Sequence, residues 1–332
     1  MTIQVGIIGT GRHGSRYARH IVQDVAGLRL AAISRRSAEG ENQAADWNCV
    51  RHEDWRDLIA DPNVEAVIAV VPPALNPDIA RLCASAGKPL LIEKPLAVSS
   101  GVAAEIIALF REAGVPLTCG QTLRFNPVVR ALRRQLGDIG TLFSFSANQR
   151  LEPSSLSWHS MPSLAGAGVS IHTAVHVFDA LRFITGLEVQ RVMAVFRRQH
   201  EEILEDLLAV LVEMEQNVVG TVDCSKVGYA RSGRFEFVGY QGQLHGDQVH
   251  NTLELIRGTE VTRLHPEGAT ETIIPLLQEW FSFLSGNGVN PVPGGDGLAA
   301  VRICEACLDS ARTDKWVDIA GPAGGTEKGS AG

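Results

Sequence analysis

The stretch IQVGIIGTGRHGSRYARHI, residues 3–21, decides the fold of this chain. It opens with a short apolar run that is typical of a buried β-strand. G-T-G-R-H-G then places glycines at Gly9, Gly11 and Gly14, and apolar residues recur after it at helical spacing. A glycine-rich turn between a strand and an amphipathic helix is the context in which G-x-G-x-x-G binds a dinucleotide. We therefore predict a dinucleotide site here rather than an ordinary glycine-containing turn.

Each glycine of this loop has its own physical role in such a site. Gly9 permits the tight turn, Gly11 lets a pyrophosphate approach the backbone, and Gly14 lets helix and sheet close up. The free N–H groups and the positive dipole end of the following helix attract the phosphates. The expected cofactor contacts of the loop are Gly9, Thr10, Gly11, Arg12, His13 and Gly14.

A second strand, LRLAAIS, ends at Ser34, and Arg35 and Arg36 follow it. NAD-binding chains usually have Asp or Glu near this point, where it binds the ribose hydroxyls. A carboxylate would repel a 2′-phosphate, whereas a guanidinium pairs with phosphate and a serine donates a hydrogen bond to it. Ser34, Arg35 and Arg36 therefore favour NADP over NAD, although two solvated arginines would give the same pattern.

The alternation of strand and helix continues beyond this point. VEAVIAVV (64–71) predicts a strand, residues 74–87 predict a helix, and KPLLIEKP carries another strand into Glu93-Lys94-Pro95. Alternating units of this kind give a doubly wound parallel α/β sheet, which binds ligands at the carboxyl ends of its strands. The residues at such ends are Val71, Pro72, Pro73, Glu93 and Lys94.

After Pro127 this alternation stops. TLFSFSANQ alternates with period two. LLAVLVEM and VVGTVDCS flank a turn at residues 215–217, and RFEFVGY, TLELIR and EVTRL follow at short intervals. Short strands joined by turns predict an antiparallel meander. We predict helices from near Ser170, Pro275 and Gly297. Residues 321–332 have too few apolar side chains to pack and are predicted to be a disordered tail.

AGAGVSIHTAVHVFD, residues 165–179, is the candidate site of the second half. His172, His176 and Asp179 are four and three residues apart, so their side chains would share one face of a helix. A metal site, an acid–base centre and a hydrogen-bonded core helix all fit this spacing. Zinc helices with this histidine spacing usually carry the Glu of H-E-x-x-H, whereas Thr-Ala-Val stands between these histidines. We expect no metal.

Composition narrows the function classes further. Of the 332 residues, 45% are hydrophobic and 20% are charged, as in ordinary globular proteins. A net charge of −7 without a basic block argues against nucleic acid as a partner. We find no apolar run of about 18 residues and no signal-peptide pattern, so we expect no membrane contact and a cytoplasmic location. Six scattered cysteines predict reduced thiols, and Cys304-x-x-Cys307 lacks the second pair that a zinc site needs.

With these pieces in view, the chain resembles the glucose–fructose oxidoreductase / inositol dehydrogenase (Gfo/Idh/MocA) family. The resemblance covers nearly the whole length and implies an N-terminal Rossmann domain (1–122). It also implies a C-terminal α/β domain with an open, mostly antiparallel sheet (123–320). A homodimer or homotetramer is implied too, because members usually cover the open sheet with a second subunit. The matching segments are GIIGTGRHGSRYARHI, VPPALNP, AGKPLLIEKPLA, RFNPVVRALRRQLGDIG, AGAGVSIHTAVHVFDALRFITG and DGLAAVRICEACLDSARTDKWVDI.

The resemblance also implies roles for single residues. Lys94 matches the lysine of the family's E-K-P motif, which lies beside the nicotinamide and the substrate hydroxyl and often precedes a cis proline. His176 matches the usual acid/base histidine, and a pKa near ~6.5 suits proton exchange at neutral pH, so the acid–base interpretation is favoured. His172 stands where the family usually has Asp, and we expect it to bind a substrate hydroxyl or orient Lys94. Asp179 is expected to support the helix.

The implied activity is transfer of a hydride between NADP(H), or NAD(H), and a secondary alcohol or ketone of a sugar or polyol. Glycoside cleavage through transient oxidation by bound NAD, and a cofactor-sensing regulator without activity, are the alternatives. Retention of Lys94 and His176 argues against the regulator. Asn76, where the family usually has His, and Gln121 are further expected cofactor contacts. The expected substrate contacts are Lys94, Arg124, Trp158, His159, His172 and His176.

Overall fold

The computed structural model describes residues 2–267 and 271–319 of the chain. Within these ranges the strands form two sheets, each with its own apolar core. The strands are β1 (Ile3–Ile8), β2 (Leu28–Ser34), β3 (Val50–His52), β4 (Ala66–Ala69), β5 (Leu90–Glu93), β6 (Leu117–Gly120), β7 (Leu142–Arg150), β8 (Val189–Arg197), β9 (Leu207–Met214), β10 (Val219–Ser225), β11 (Arg234–Gly239), β12 (Gly242–Asp247), β13 (Thr252–Arg257), β14 (Glu260–Leu264) and β15 (Val317–Asp318).

The first sheet is the doubly wound parallel sheet that the sequence predicts, and this prediction is confirmed. Its order is β3-β2-β1-β4-β5-β6, and every neighbouring pair is parallel. The order reverses between β1 and β4, and such sheets bind ligands beyond the carboxyl ends of the strands at this point. The helices of this half are α1 (Gly14–Gln23), α2 (Glu39–Asp46), α3 (Trp55–Ala60), α4 (Asn76–Ser85) and α5 (Ser100–Ala113).

The second sheet is mostly antiparallel, as predicted. Its order is β14-β13-β12-β11-β7-β10-β9-β8-β15, and only the β7–β10 pair is parallel among these strands. The sequence patterns missed β8, β12 and β15. The helices of this half are α6 (Pro127–Gln135), α7 (Pro162–Ala165), α8 (Val175–Thr185), α9 (Ile273–Leu284) and α10 (Gly294–Thr313). Helices α6, α8 and α10 cover one face of this sheet and share its core.

Helix α9 complicates the division of the chain at residue 122. It follows the second sheet in sequence, yet Ile273, Leu277 and Trp280 are buried in the core of the first sheet. A backbone bridge between Thr118 and Pro293 ties the next segment to β6. A single cut at residue 122 therefore separates the two sheets but not the two cores.

Two expectations from composition concern apolar segments and the C-terminal end of the chain. The segment Pro162–Thr185 is long and apolar enough to cross a membrane, so our statement that the chain has no such run is corrected. In the structure, 83% of its most apolar window is buried inside the protein, as expected for a core helix. The predicted disordered tail at 321–332 lies outside the described residues.

Candidate active site

A cleft of about 480 Å³ opens at the carboxyl ends of β1, β4 and β5. It brings together predicted residues from both halves of the chain, which are far apart in the sequence. The first half contributes Gly9, Gly11, Arg12, His13, Gly14, Arg16, Val70, Val71, Pro72, Glu93, Lys94 and Thr122 to its walls. The second half contributes Leu156, Trp158, His159, His172, His176 and Arg231.

The glycine loop between β1 and α1 has the close approaches that its sequence predicts. Gly9 adopts a φ of +89°, and a Cβ there would lie 2.3 Å from the backbone oxygen of Val70. A Cβ on Gly14 would lie 2.0 Å from the backbone oxygen of Gly9, whereas a Cβ on Gly11 would meet no atom within 4 Å. Gly11 therefore borders open space that a pyrophosphate can occupy, and the loop fits a dinucleotide.

The end of β2 is more constrained than the sequence suggests. Ser34 is buried. Arg35 donates to the backbone oxygen of Thr10 at 2.6 Å and forms an ion pair with Glu39, so it fastens the glycine loop from behind. Arg36 is exposed and forms no ion pair within the described part of the chain. Arg36 is thus the guanidinium of this segment that is available to a ligand.

Glu93 is a buried carboxylate at the base of the cleft. Its Oε1 accepts a hydrogen bond from the Tyr17 hydroxyl at 2.6 Å and lies 3.0 Å from Nε2 of His13. Its Oε2 accepts the backbone N–H of Lys94 at 3.0 Å. Burial raises the pKa of Glu93, but His13, Lys94 and Tyr17 outweigh burial and hold this pKa below its ordinary value. Glu93 therefore stays ionised and links the glycine loop to Lys94.

Lys94 stands where the two halves meet. The Lys94–Pro95 peptide bond is cis, as the resemblance implies. Its Nζ donates to the backbone oxygen of His172 at 3.0 Å. Burial lowers the pKa of Lys94, and the charge of Glu93 opposes this effect. An ammonium group has three donors, so N–H groups remain for a ligand in the cleft.

His172 lies in a π-helical turn, Ser170–Ala174, that precedes α8. Such turns are rare and frequently mark functional sites. The Nε2 of His172 lies 3.1 Å from the backbone oxygen of Ala165, and its ring stacks on His159 with centroids 4.7 Å apart. Burial lowers the pKa of His172 well below its ordinary value, so the ring is neutral. The contact with Lys94 is made by the backbone oxygen of His172 and not by its ring.

Close packing fixes the start of this helical segment. A Cβ on Gly168 would lie 1.9 Å from the backbone oxygen of Glu205. The Oε1 of Glu205 accepts the backbone N–H groups of Gly168 at 2.8 Å and of Ser170 at 3.1 Å. Glycine at 168 and a buried carboxylate at 205 therefore hold the segment against the second sheet.

His176 lies in the first turn of α8 and lines the cleft. Its ring makes no hydrogen bond within the described residues, and its Nδ1 is buried. Burial first, and then the charge of Lys94, lowers the pKa of His176 well below its ordinary value. The imidazole is therefore neutral at pH 7 and can accept a proton at Nε2.

Asp179 does not line the cleft, so the prediction that it shares one helix face with His172 and His176 is corrected. The π turn displaces His172 from regular α-helical spacing. The Asp179 carboxylate accepts two hydrogen bonds from Arg124, both at 2.7 Å. Asp296 binds Arg124 at 2.9 Å and Arg182 at 3.3 Å. Asp179 supports its helix within this network, the role that we expected of it.

Arg124 is corrected as a substrate contact. Its guanidinium binds the carboxylates of Asp179 and Asp296, and Arg124 does not line the cleft. Burial lowers the pKa of Arg124, but Asp179 and Asp296 outweigh burial and raise this pKa above its ordinary value. Trp158 and His159 do line the cleft, with their rings perpendicular and 4.1 Å apart.

Besides Ser34 and Arg35, four predicted cofactor contacts lie behind the cleft wall rather than on it. Thr10 is buried, and its hydroxyl donates to the side-chain oxygen of Gln43 at 2.7 Å. Pro73 and Asn76 are buried, and Nδ2 of Asn76 donates to the backbone oxygen of Leu96 at 3.1 Å. Asn76 thus fastens the segment after Lys94. Gln121 is buried after β6, and both polar atoms of its amide lack a partner within the described residues.

Several wall residues were not predicted from the sequence. Arg16 lies in the first turn of α1, next to the glycine loop, so its sequence position could have indicated that it lines the cleft. Arg231 arrives on the β10–β11 connection and forms an ion pair with Glu152. Thr122 and Leu156 also lie outside any motif. Only the tertiary fold brings these last three to the cleft.

The cysteines are not part of a site. All six are free thiols, and Cys304 and Cys307 are buried within α10. Burial raises the pKa of both thiols above its ordinary value, so they stay protonated and unreactive. Within residues 2–267 and 271–319, no group of three His, Cys, Asp or Glu side chains is placed to hold a metal ion.

Comparison with known proteins matches both halves of the chain. Residues 3–121 match the GFO_IDH_MocA oxidoreductase family, NAD-binding Rossmann fold, and residues 129–245 match the C-terminal domain of the same family. Inositol 2-dehydrogenase 1 of Saccharopolyspora erythraea is 30% identical over 336 residues, which cover 96% of this chain and 97% of that protein. D-apiose dehydrogenase of Paraburkholderia graminis is 26% identical over 341 residues, which cover 94% and 88%. The crystal structure of an oxidoreductase domain protein from Kribbella flavida has the same fold, with a TM-score of 0.88 at 22% identity and coverage of 97% and 100%.

Proposed function

The chain belongs to the GFO/IDH/MocA family of oxidoreductases, and we propose that it transfers a hydride between a nicotinamide cofactor and a CH–OH group of a sugar or polyol. The observation that carries this proposal is a single cleft lined by the glycine loop, Lys94 and His176. The names of the relatives, dehydrogenases of inositol and of apiose, support the substrate class.

The residues of the cleft suit the proton chemistry of this reaction. When the alcohol is oxidised, its carbon loses a hydride and its oxygen loses a proton, so that C–O becomes C=O. A bound nicotinamide supplies the hydride acceptor. We assign the proton to His176, which is neutral and accepts it at Nε2 because Nδ1 is buried. Lys94 donates an N–H to the same oxygen and stabilises the negative charge that develops there.

Other residues would hold the two ligands. The glycine loop, the amino-terminal end of α1 and the exposed Arg12 would bind the cofactor diphosphate. Trp158 offers a flat apolar surface in the wall, against which the C–H groups of a sugar ring can pack.

The proposal includes a preference for NADP(H) over NAD(H). It is supported by the absence of a carboxylate at Ser34 and by the exposed Arg36. Arg36→Glu should therefore weaken NADPH binding at least about tenfold, or about 1.4 kcal/mol, and NADH binding much less. Arg29→Glu, an equal charge change at the other end of β2, is the matched control. Equal affinities of the parent protein for NADPH and NADH, measured by protein-fluorescence quenching, would contradict the preference.

A cofactor-coupled screen of inositols, aldoses, alditols and ketosugars tests the function itself. We expect a change in nicotinamide absorbance with at least one substrate and its loss in the Lys94→Met variant. Turnover without net cofactor change would instead indicate glycoside cleavage with cofactor recycling. Tight cofactor binding without turnover over the whole panel would indicate a regulator and would contradict the proposal.

A further inference from the structure

Glu205 is a buried acidic residue that the proposed mechanism does not use. It precedes β9, and its side chain contacts the start of the helical segment that carries His172 and His176. One carboxyl oxygen, Oε1, accepts the backbone N–H of Gly168 at 2.8 Å, the backbone N–H of Ser170 at 3.1 Å and the Ser170 hydroxyl. Three donors from two residues therefore converge on a single atom.

The backbone of Glu205 fixes the same part of the segment. Its carbonyl oxygen accepts the backbone N–H of Val169 at 2.8 Å. A Cβ on Gly168 would lie 1.9 Å from that oxygen, so the two stretches of backbone touch. The first N–H groups of a helix have no partner inside the helix, and here a residue 35 positions after Ser170 supplies their partners. The start of the segment cannot shift without breaking these contacts.

The segment that is held in this way presents a backbone oxygen to Lys94. The Nζ of Lys94 donates to the backbone oxygen of His172, two residues after Ser170, at 3.0 Å. The ring of His172 takes no part in this contact, since its Nε2 lies 3.1 Å from the backbone oxygen of Ala165. A side chain can change its rotamer, but a backbone oxygen moves only with its helix. The surroundings of the Lys94 ammonium group therefore depend on the position of the π turn.

A small displacement of the π turn would be enough to disturb the site. A hydrogen bond of ordinary length is lost when its atoms separate by a further ~0.6 Å. A misplacement of about 1 Å can lower a reaction rate by about 10²-fold. His176 follows the π turn by two residues, so the same displacement would move its ring relative to Lys94. The two groups assigned to the reacting oxygen are thus placed by one segment.

We propose that Glu205 is a positioning residue for the reaction: by holding the start of the π turn, it places the backbone oxygen of His172 against Lys94. The same contacts set the distance between Lys94 and His176. The inference rests on the proposed function, because it concerns the lysine and the histidine of that reaction. A role of Glu205 in folding alone would leave the kinetics of the folded enzyme and the titration of Lys94 unchanged.

Two variants of similar size separate the hydrogen bonds of Glu205 from its charge. Glu205→Gln keeps an oxygen that accepts the two N–H groups, whereas Glu205→Leu offers no acceptor. Both remove the effect of Glu205 on Lys226, which follows β10, so this electrostatic change is common to them. We expect kcat for a sugar substrate to fall at least about tenfold in Glu205→Leu and to stay within about threefold of the parent enzyme in Glu205→Gln.

The titration of Lys94 gives a second readout, which needs no turnover. A hydrogen bond from an ammonium group to a carbonyl oxygen favours the charged form, so its loss lowers the pKa of Lys94, which burial already lowers. We expect the midpoint, followed by ¹³C NMR of the lysine Cε and assigned with Lys94→Met, to fall by at least about half a pH unit in Glu205→Leu relative to Glu205→Gln. The alkaline limb of the kcat profile should move in the same direction.

The other titratable groups around Lys94 are the same in both variants. The groups whose charges act on Lys94 or respond to it are Glu93, Cys119, His159, His172, His176 and Lys226. A difference between Glu205→Leu and Glu205→Gln therefore reports the hydrogen bonds at residue 205.

Another buried carboxyl group provides the matched control. The Oδ1 of Asp247 accepts the backbone N–H groups of Val249 at 2.9 Å and of His250 at 3.1 Å, and Asp247 does not line the cleft. Asp247→Leu should lower the free energy of unfolding without changing kcat or the midpoint of Lys94. If Glu205→Leu does not fold, Ser170→Ala removes only the hydroxyl donor and should lower kcat about threefold, with a downward shift of the midpoint.

The outcomes separate the inference from the proposed function. Parent-like kcat and a parent-like Lys94 midpoint in folded Glu205→Leu would overturn the inference, as would equal losses in Glu205→Gln or in Asp247→Leu. Turnover that depends on Lys94 but not on Glu205 would overturn it and leave the proposed function intact. A lower midpoint in Glu205→Leu, in a protein that turns over no sugar of the panel, would support the positioning of Lys94 and contradict the proposed function.

Discussion

Helix α8 lies between two polar clusters, which differ in whether their charged groups are paired with one another. Within the described residues, the site cluster at its first turn leaves two ring nitrogens without hydrogen bonds and its two ammonium groups without ion pairs. The support cluster, which begins three residues later, pairs every charge with another. The site cluster comprises Lys94, His159, His172, His176 and Lys226, and the support cluster comprises Arg124, Asp179, Arg182, Glu188 and Asp296.

This difference separates a structural role from a functional one. Buried polar groups are costly unless they are hydrogen-bonded, so a fully paired cluster is compatible with support alone. A cluster that buries the Nδ1 atoms of His159 and His176 without a hydrogen-bond partner among the described residues lowers stability. Such a cost is expected where the missing partners are a substrate and a cofactor.

Breaking the support cluster should have the largest effect. Asp179→Asn removes one charge of a buried bidentate pair and should lower the free energy of unfolding by about 3–5 kcal/mol. Denaturant unfolding measures the loss. The exposed pair Arg191–Glu213 is the control, and Glu213→Gln should cost about 0–1 kcal/mol. Equal costs at the two pairs would contradict the structural role of the support cluster.

Breaking the site cluster at Lys94 should act on turnover instead. Lys94→Met should lower kcat by about 10²–10³, equivalent to about 2.7–4 kcal/mol, because the developing negative charge loses its donor. Unfolding free energy should not fall, since burial already disfavours this ammonium group. Steady-state kinetics and denaturant curves on the same samples make the comparison, with Lys88→Met as control. Turnover within threefold of the parent enzyme would remove Lys94 from the mechanism.

Acid should weaken the fold through the site cluster. Burial holds His159, His172 and His176 neutral, so their folded pKa values lie below the unfolded value of ~6.5. Below that pH the unfolded chain binds more protons, so this contribution is complete above pH ~6.5 and is lost as the pH falls. Each histidine steepens the loss by up to about 1.4 kcal/mol per pH unit.

One variant isolates this effect. His172→Asn should flatten the dependence of unfolding free energy on pH between about pH 6.5 and 5, relative to the parent protein. His265→Asn, which changes an exposed histidine, is the control. A parent protein whose stability does not change over this interval would show that the three histidines are not held neutral.

The glycine loop was predictable because its signal is local. Strand, glycines and helix are consecutive, and the roles of Gly9 and Gly14 depend on contacts with adjacent elements. Helical spacing identified His172 and His176 as candidates, but the roles of Lys94 and His176 came from motif resemblance, since no spacing links two residues on different domains. The doubly wound sheet followed from the alternation of apolar strands with helices.

The features that the sequence did not predict depend on contacts between residues that are far apart in the chain. Arg124 and Asp179 are 55 residues apart, and nothing near either residue shows that they bind each other. Helical spacing put Asp179 in the stripe, but its carboxylate binds Arg124, which the spacing of α8 does not show. Lys226 lies in no motif, and only the structure shows that its ammonium group forms no ion pair within the described residues.

His176, in the first turn of α8, is proposed to accept the proton that the substrate hydroxyl loses, and His176→Ala tests this role most directly. We predict that kcat falls by about 10²–10⁴, while the affinity for reduced cofactor and the free energy of unfolding stay close to those of the parent enzyme. His172→Ala should reduce kcat less, because its contact with Lys94 is made by the backbone. Parent-like turnover in His176→Ala, with activity abolished in His172→Ala, would contradict the account.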